Sequence, residues 1–533
     1  MAGPTASSST ALPPPADDVT RYALSPESEL RLEVPALLAS DCTATLRSGS
    51  AELFGAELPL CSSSSPSNNA VLSDNRCIRL CPNTKVAIYT WHGCVIDVTN
   101  VNKLDIAYVS DETNANVAYV NTHAQLEAMR DEAYTATAAA ADDDDGRRRG
   151  GGAGPRVLLV GPADSGKTSL ARTLMAYAIK LGRTPLLVDI DASQNMLSVP
   201  GTLAALAPAP DMMTANAFAS SHAIVTGPSS SSSSGGGGRP IVLWYGSQDI
   251  TSHPDLYKSQ ITKLGSLIDN RLSHDVDMNA SGIIVNTSGT IEDVGYHYLL
   301  HAIDEFHINV VLVLGHDRLY SMLGTHFKNK LANNNYDDDG MMGGTAPVAV
   351  SAAAPPPKLI KLPRSGGVSE RDSTFRRISR SSCIKRYFYG GDTTTTAAPM
   401  GPRLYSPCLL EIKLSNVRIH RITNISLSSA LLAIGAKQST DPIQLITLSN
   451  SDITTRHQHA LLGVCHPGAV EKYESSIAAG GGGSARDLWL SGVAGFVVVE
   501  KVNVDAGTIS LLCPCAGCLP SCHLLIGDVY WME

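Results

Sequence analysis

VLLVGPADSGKTSLARTLMAYAIKLGRTPLLVDIDASQ, residues 157–194, joins an apolar run, a glycine-bounded loop, a helical pattern and a second apolar run. Residues 161–168 fit G-x-x-x-x-G-K-[ST] and lie between an apolar run at 157–160 and a helical pattern starting near Ser169. That context carries the reading. Gly161 and Gly166 let the backbone curl so that successive N–H groups point inward at phosphate oxygens, and the following helix adds its positive end. Lys167 is expected on the β- and γ-phosphates of a nucleoside triphosphate and the Thr168 hydroxyl on Mg²⁺. Asp164, Ser165 and Ser169 line the same turn. The plainer alternative is a strand-to-helix turn without a ligand.

Outward from this loop the pattern alternates strands and helices: PLLVDID, SGIIVNTSG, YHYLLHAIDEF and INVVLVLG. Buried apolar strands separated by amphipathic helices predict an α/β domain with a mainly parallel sheet. Asp191 follows the apolar run of residues 185–190, so it is expected at the carboxyl end of a strand, where such sheets bind ligands. Asp189, two residues earlier on the same side of the strand, is the competing candidate for a base.

The chain has 533 residues and a formal charge of −9, with twelve cysteines. Scattered cysteines in a chain that opens without a basic, apolar leader favour reduced thiols, and no apolar run is long enough to cross a bilayer. Charge is uneven: ADDDDG at 141–146 and DDDG at 337–340 are acidic, whereas 364–386 is strongly basic. Such a segment marks either an anion-handling region or a solvated basic helix. The expected organisation is a disordered tail (1–20), an N-terminal β-rich domain (21–130), a low-complexity linker (131–154) and a P-loop domain (155–392). Flexible insertions are expected at 227–238 and 332–357, and a smaller C-terminal α/β or β-rich domain at 393–533.

TKVAIYTWHGC, GPADSGKTS, VDIDASQ with SVPGT, NTSG, and KLPRSGGVSERDSTFRR followed by RYFYG occur in one order. In that order they resemble the eukaryotic polyribonucleotide 5′-hydroxyl kinases of the Clp-one subfamily, from about residue 28 to the C-terminus. The resemblance implies an ATP-binding nuclear subunit of the mRNA 3′-end cleavage and polyadenylation machinery, with Mg²⁺ as cofactor and RNA bearing a 5′-hydroxyl as acceptor. It implies as partners the other subunits of that factor and, for some members, the tRNA-splicing endonuclease. It places ATP-phosphate contacts on Asp164, Ser165, Gly166, Lys167, Thr168 and Ser169, and adenine-side contacts on Glu29 and Lys85. Asp191 becomes the base, and Arg371 and Arg376, with Arg377 as a close alternative, belong to a lid over the phosphates hinged at residues 365–367.

Two features stand apart. Where active relatives carry a base-stacking tryptophan after NTSG, this chain has Thr290, with Trp244 or Tyr245 as candidate substitutes. That departure keeps open an ATP-holding scaffold between cleavage factors; a related nucleolar pre-rRNA kinase is a further alternative. Cys513, Cys515, Cys518, Cys522 and His523 are dense enough to suggest zinc, but their spacing reads better as a turn between two strands.

Overall fold

A computed structural model describes residues 18–36, 42–61, 77–112, 115–141, 152–219, 239–336, 355–390, 406–424, 443–478 and 486–532. Its centre is a seven-stranded sheet in the order Ile241–Trp244, Thr202–Leu206, Leu186–Asp189, Ile283–Asn286, Arg156–Val160, Val310–Leu314, Lys358–Leu362. The last five are mutually parallel. Nearly every residue of the inner strands is buried, which is why they read as continuous apolar runs rather than as alternation. Thr202–Leu206 runs antiparallel to both its neighbours. Its composition, TLAAL, carries no β-branched run to announce it.

The N-terminal region is a sandwich. A four-stranded sheet (Val19–Leu24, Cys94–Thr99, Cys42–Gly49, Ile78–Leu80) faces a five-stranded one (Ala56–Glu57, Glu52–Leu53, Thr84–Thr90, Ser28–Val34, Ile106–Ser110). Leu30, Leu32, Leu46, Ile88 and Ile96 fill the space between them. The hairpin at Phe54 and Gly55 has φ of 48° and 81°, the positive pair that a tight two-residue turn requires. It docks on the helix Lys167–Lys180: a Cβ on Gly55 would lie 2.9 Å from the Thr173 carbonyl. Beside it the Tyr177 hydroxyl donates to Glu52 at 2.5 Å.

A helix runs from Ala115 to Ala141, so the alanine-rich opening of the expected linker is helical. Alanine has the best helix propensity, and here nothing interrupts it. The expected insertion at 332–357 likewise begins inside a helix, Asp317–Tyr336. Residues 227–238 and 480–484 lie outside the described residues, as do residues 1–17 of the expected tail.

The C-terminal region is β-rich, a seven-stranded sheet ordered Cys408–Lys413, Thr508–Cys513, Val493–Asn503, Ala460–Cys465, His523–Tyr530, Arg418–Asn424, Ile443–Thr447. It packs on the central domain through Trp244 and Phe496, whose ring centres lie 5.5 Å apart. It also anchors the helix Ser373–Tyr389: Phe388 stacks on Trp531 at 5.9 Å, and the Tyr387 hydroxyl accepts from the Phe496 N–H at 3.0 Å.

Candidate active site

At the carboxyl ends of the parallel strands the chain turns through Gly161, Asp164 and Gly166, with φ of 157°, 53° and 94°, before entering the helix Lys167–Lys180. A Cβ on Gly161 would lie 2.9 Å from the Leu314 carbonyl, so the loop can lie this close to the sheet only as glycine. Lys167 is 7% exposed, and its Nζ donates to the carbonyls of Gly161 and Pro162, each at 2.7 Å. Burial pulls its pKa down to about 8, although Asp191 and Asp164 oppose that shift.

A cavity of about 290 Å³ opens between this loop and the N-terminal sandwich. Its walls include all the expected phosphate-side residues, Asp164 through Ser169, together with Asp191, Arg371, Arg376, Glu29 and Lys85. Residues more than 300 positions apart therefore share one chamber. Four buried polar atoms on its wall, Arg31 Nη2, Tyr89 Oη, Ser165 Oγ and Gln194 Nε2, have no hydrogen-bond partner among the described residues. Buried polar groups are ordinarily satisfied, so unpaired ones around a cavity suit a polyanionic, many-acceptor occupant such as ATP.

The two aspartates separate by environment. Asp189 is fully buried; its carboxylate accepts from the backbone N–H of Asp191 (2.9 Å) and Met196 (2.6 Å) and from Asn286 Nδ2 (3.1 Å). Burial, and then the charge of Asp191, push it up to about 8. It organises the turn after the strand and does not line the cavity. Asp191 does; Oδ1 is steadied by the N–H (3.0 Å) and hydroxyl (2.7 Å) of Ser193.

The segment 365–389 closes the chamber's other side. Asp164 Oδ2 accepts from the Arg371 N–H at 3.1 Å and from Arg376 Nη2 at 2.6 Å, tying the basic helix to the phosphate loop. Arg371 stacks on Phe375 at 5.5 Å, and burial lowers its pKa. Arg377, the alternative, is exposed and lines no part of the cavity. Lys85 pairs with Glu33 at 3.1 Å and donates to Ser369 Oγ at 3.1 Å, so the sandwich grips the same segment. Asn83 adds a hydrogen bond to the Phe375 carbonyl at 3.2 Å.

Thr290 is exposed, one residue beyond Gly289, which touches the phosphate loop closely enough that a Cβ would sit 2.5 Å from the Ala163 nitrogen. Trp244 and Tyr245 are core residues, 0% and 2% exposed, and cannot substitute as a stacking surface. The cysteine-rich turn joins the strands Thr508–Cys513 and His523–Tyr530. Its thiols are free, and no group of three or more His, Cys, Asp or Glu among the described residues could hold a metal. His523 instead shares a hydrogen bond of 3.0 Å with His420. Sequence reasoning missed Arg31, Glu52 and Tyr108 as cavity residues. Arg31 alone had a signal, its place two residues after Glu29 on one strand face.

Three family models match in chain order: the N-terminal beta-sandwich domain of polyadenylation factor (23–133), the P-loop of mRNA cleavage and polyadenylation factor CLP1 (161–341), and pre-mRNA cleavage complex II protein Clp1 (405–533). The polyribonucleotide 5′-hydroxyl-kinase Clp1 of Xenopus tropicalis is 31% identical over 96% of this chain and 94% of its own length. The chain belongs to the Clp1 family. The Homo sapiens member of the family is 28% identical over 96% of this chain and 97% of its own length. The fold agrees with the Clp1p of a solved Clp1p–Pcf11p complex, with a TM-score of 0.68 and 21% identity over 97% of this chain and 99% of that one. The expected architecture, a P-loop α/β domain between a small β domain and a β-rich C-terminal domain, is that of the family.

Proposed function

We propose that this chain is an ATP-dependent polyribonucleotide 5′-hydroxyl kinase and a subunit of the nuclear pre-mRNA 3′-end cleavage and polyadenylation factor. The observation that carries the reading is the single cavity that gathers the phosphate loop, Asp191, Arg371 and Arg376 with Glu29 and Lys85. A phosphate-binding turn alone would fit any nucleotide-binding protein. A carboxylate and two lid arginines in the same chamber fit phosphoryl transfer.

ATP supplies the transferable phosphoryl group; the Thr168 hydroxyl would hold Mg²⁺, which would supply neutralisation of the phosphate charge. Ser165, Gly166, Thr168 and Ser169 cradle the phosphates with backbone and hydroxyl donors. Lys167 turns its ammonium from the loop carbonyls toward phosphate oxygens. Asp191 accepts the proton of the RNA 5′-hydroxyl as that oxygen bonds to the γ-phosphorus and the bond to the β-phosphate oxygen breaks. Arg371 and Arg376 stabilise the charge on the group in flight, and their planar forks suit phosphate oxygens. Glu29 and Lys85 take the adenine side. Association with other subunits of the cleavage factor fits the family relation, and the tRNA-splicing endonuclease, a partner of some members, is part of the same proposal.

Incubation with γ-labelled ATP and paired RNA oligonucleotides tests this. The 5′-hydroxyl RNA should gain label and its 5′-phosphorylated twin should not, whereas Lys167→Ala should label neither. Labelling that does not depend on a free 5′-hydroxyl would refute the assignment.

A further inference from the structure

Arg31 is nine-tenths buried in the cavity wall. Its Nε donates to Glu29 Oε1 at 2.6 Å and its Nη1 to the Tyr108 hydroxyl at 2.9 Å. Its Nη2 is the unpartnered donor already noted. The guanidinium also lies against the lid hinge. A Cβ on Gly366 would come within 2.8 Å of Nη2, and one on Gly367 within 3.0 Å of Glu29 Oε1 and 3.3 Å of Arg31 Nε. Two successive glycines leave room for this ion pair beneath the hinge.

We propose that Arg31 is a positioning residue that makes the site selective for adenine over guanine by holding Glu29 as an acceptor-only carboxylate. The inference rests on the reading that the cavity binds ATP with Glu29 and Lys85 at the base. Adenine offers an amino donor at position 6 and an acceptor at N1; guanine reverses both, with a carbonyl at position 6 and an N–H at N1. An ionised Glu29 accepts from the adenine amino group and repels the guanine carbonyl at the same position. A carboxyl this deeply buried is driven toward its neutral form, and the Arg31 guanidinium opposes that drift. Without Arg31 the neutral carboxyl could both donate and accept, so it would tolerate the guanine carbonyl. Base discrimination would then fall although the phosphate contacts remain.

The test is calorimetric titration of the full chain with ATP and with GTP, using the parent, Arg31→Met, Arg31→Lys and Gly367→Ala. The parent should bind ATP at least about tenfold more tightly than GTP, the scale of one charged hydrogen bond made or opposed. Arg31→Met should bring the two affinities within about twofold of each other, mainly by weakening ATP, and Arg31→Lys should restore part of the ratio. Gly367→Ala leaves Arg31 in place but crowds Glu29, so it should also shrink the ratio, which keeps the test open should Arg31→Met fail to fold. Equal loss of both nucleotides in the variants, with the ratio intact, would make Arg31 merely structural and overturn the inference. Equal binding of ATP and GTP by the parent would overturn it while leaving the kinase reading standing. A parent that binds neither nucleotide would overturn both.

Discussion

Lys167 shows how one residue's environment sets a measurable pH response. Its pKa is about 8 in the folded chain against 10.5 for an unburied lysine. Between those values the unfolded chain binds more protons, so this group's contribution to stability rises with pH. Lys167→Met should therefore be more heat-stable than the parent below pH 8, and the gap should narrow as pH rises toward 10.5. Nucleotide affinity should move the opposite way, holding steady at lower pH and declining above about 8 as the ammonium is lost. A parent affinity that stays level past that point would place the phosphate-facing charge elsewhere. Thr290 makes a second residue-scale prediction. Thr290→Trp should tighten RNA binding by about 1–3 kcal/mol, the contribution of one stacked base, without changing ATP affinity. Since Trp244 is fully buried, an unimproved variant would point to a stacking residue outside those considered.

Among elements, the helix Ser373–Tyr389 matters most, because it is held from three sides. Asp164 holds its start, Asn83 its first turn and Trp531 its end. Arg376→Ala should reduce transfer by about three orders of magnitude or more, as loss of a charge-stabilising arginine commonly does. Asp164→Asn weakens the same ion pair but leaves the guanidinium, so its cost in rate should be far smaller. Equal losses in single-turnover transfer would mean that closure of the segment, rather than the Arg376 charge, sets the rate. The local pattern made much of this legible: the apolar inner strands, the glycine-bounded loop and Asp191 at a strand end all follow from local chemistry. Tyr108 was not legible as a site residue, because an aromatic residue on a strand face looks ordinary until the fold sets Arg31 and the cavity against it, and Arg31 carried only its place two residues after Glu29. The extension of the helix to Ala141 was hidden for another reason: alanine-rich composition reads equally well as linker and as helix.

At the scale of the molecule, the site exists only because separate domains meet. Glu29 and Lys85 come from the sandwich, Lys167 and Asp191 from the central sheet, and Arg371 and Arg376 from a segment whose helix is braced by the C-terminal domain. Sequence order cannot reveal such a meeting; only the family resemblance implies a place for Glu29 and Lys85 in the same chamber as the phosphate loop. The central claim, that this assembled chamber moves phosphate from ATP to an RNA end with Asp191 as the base, is tested most directly by single-turnover transfer to a 5′-hydroxyl RNA at saturating ATP. The parent should label the RNA, and Asp191→Asn should lose at least about a hundredfold in rate, the scale of a missing general base, while binding ATP as tightly as before. A parent that binds ATP yet leaves the RNA unlabelled, or an Asp191→Asn variant that keeps the parent's rate, would contradict the account.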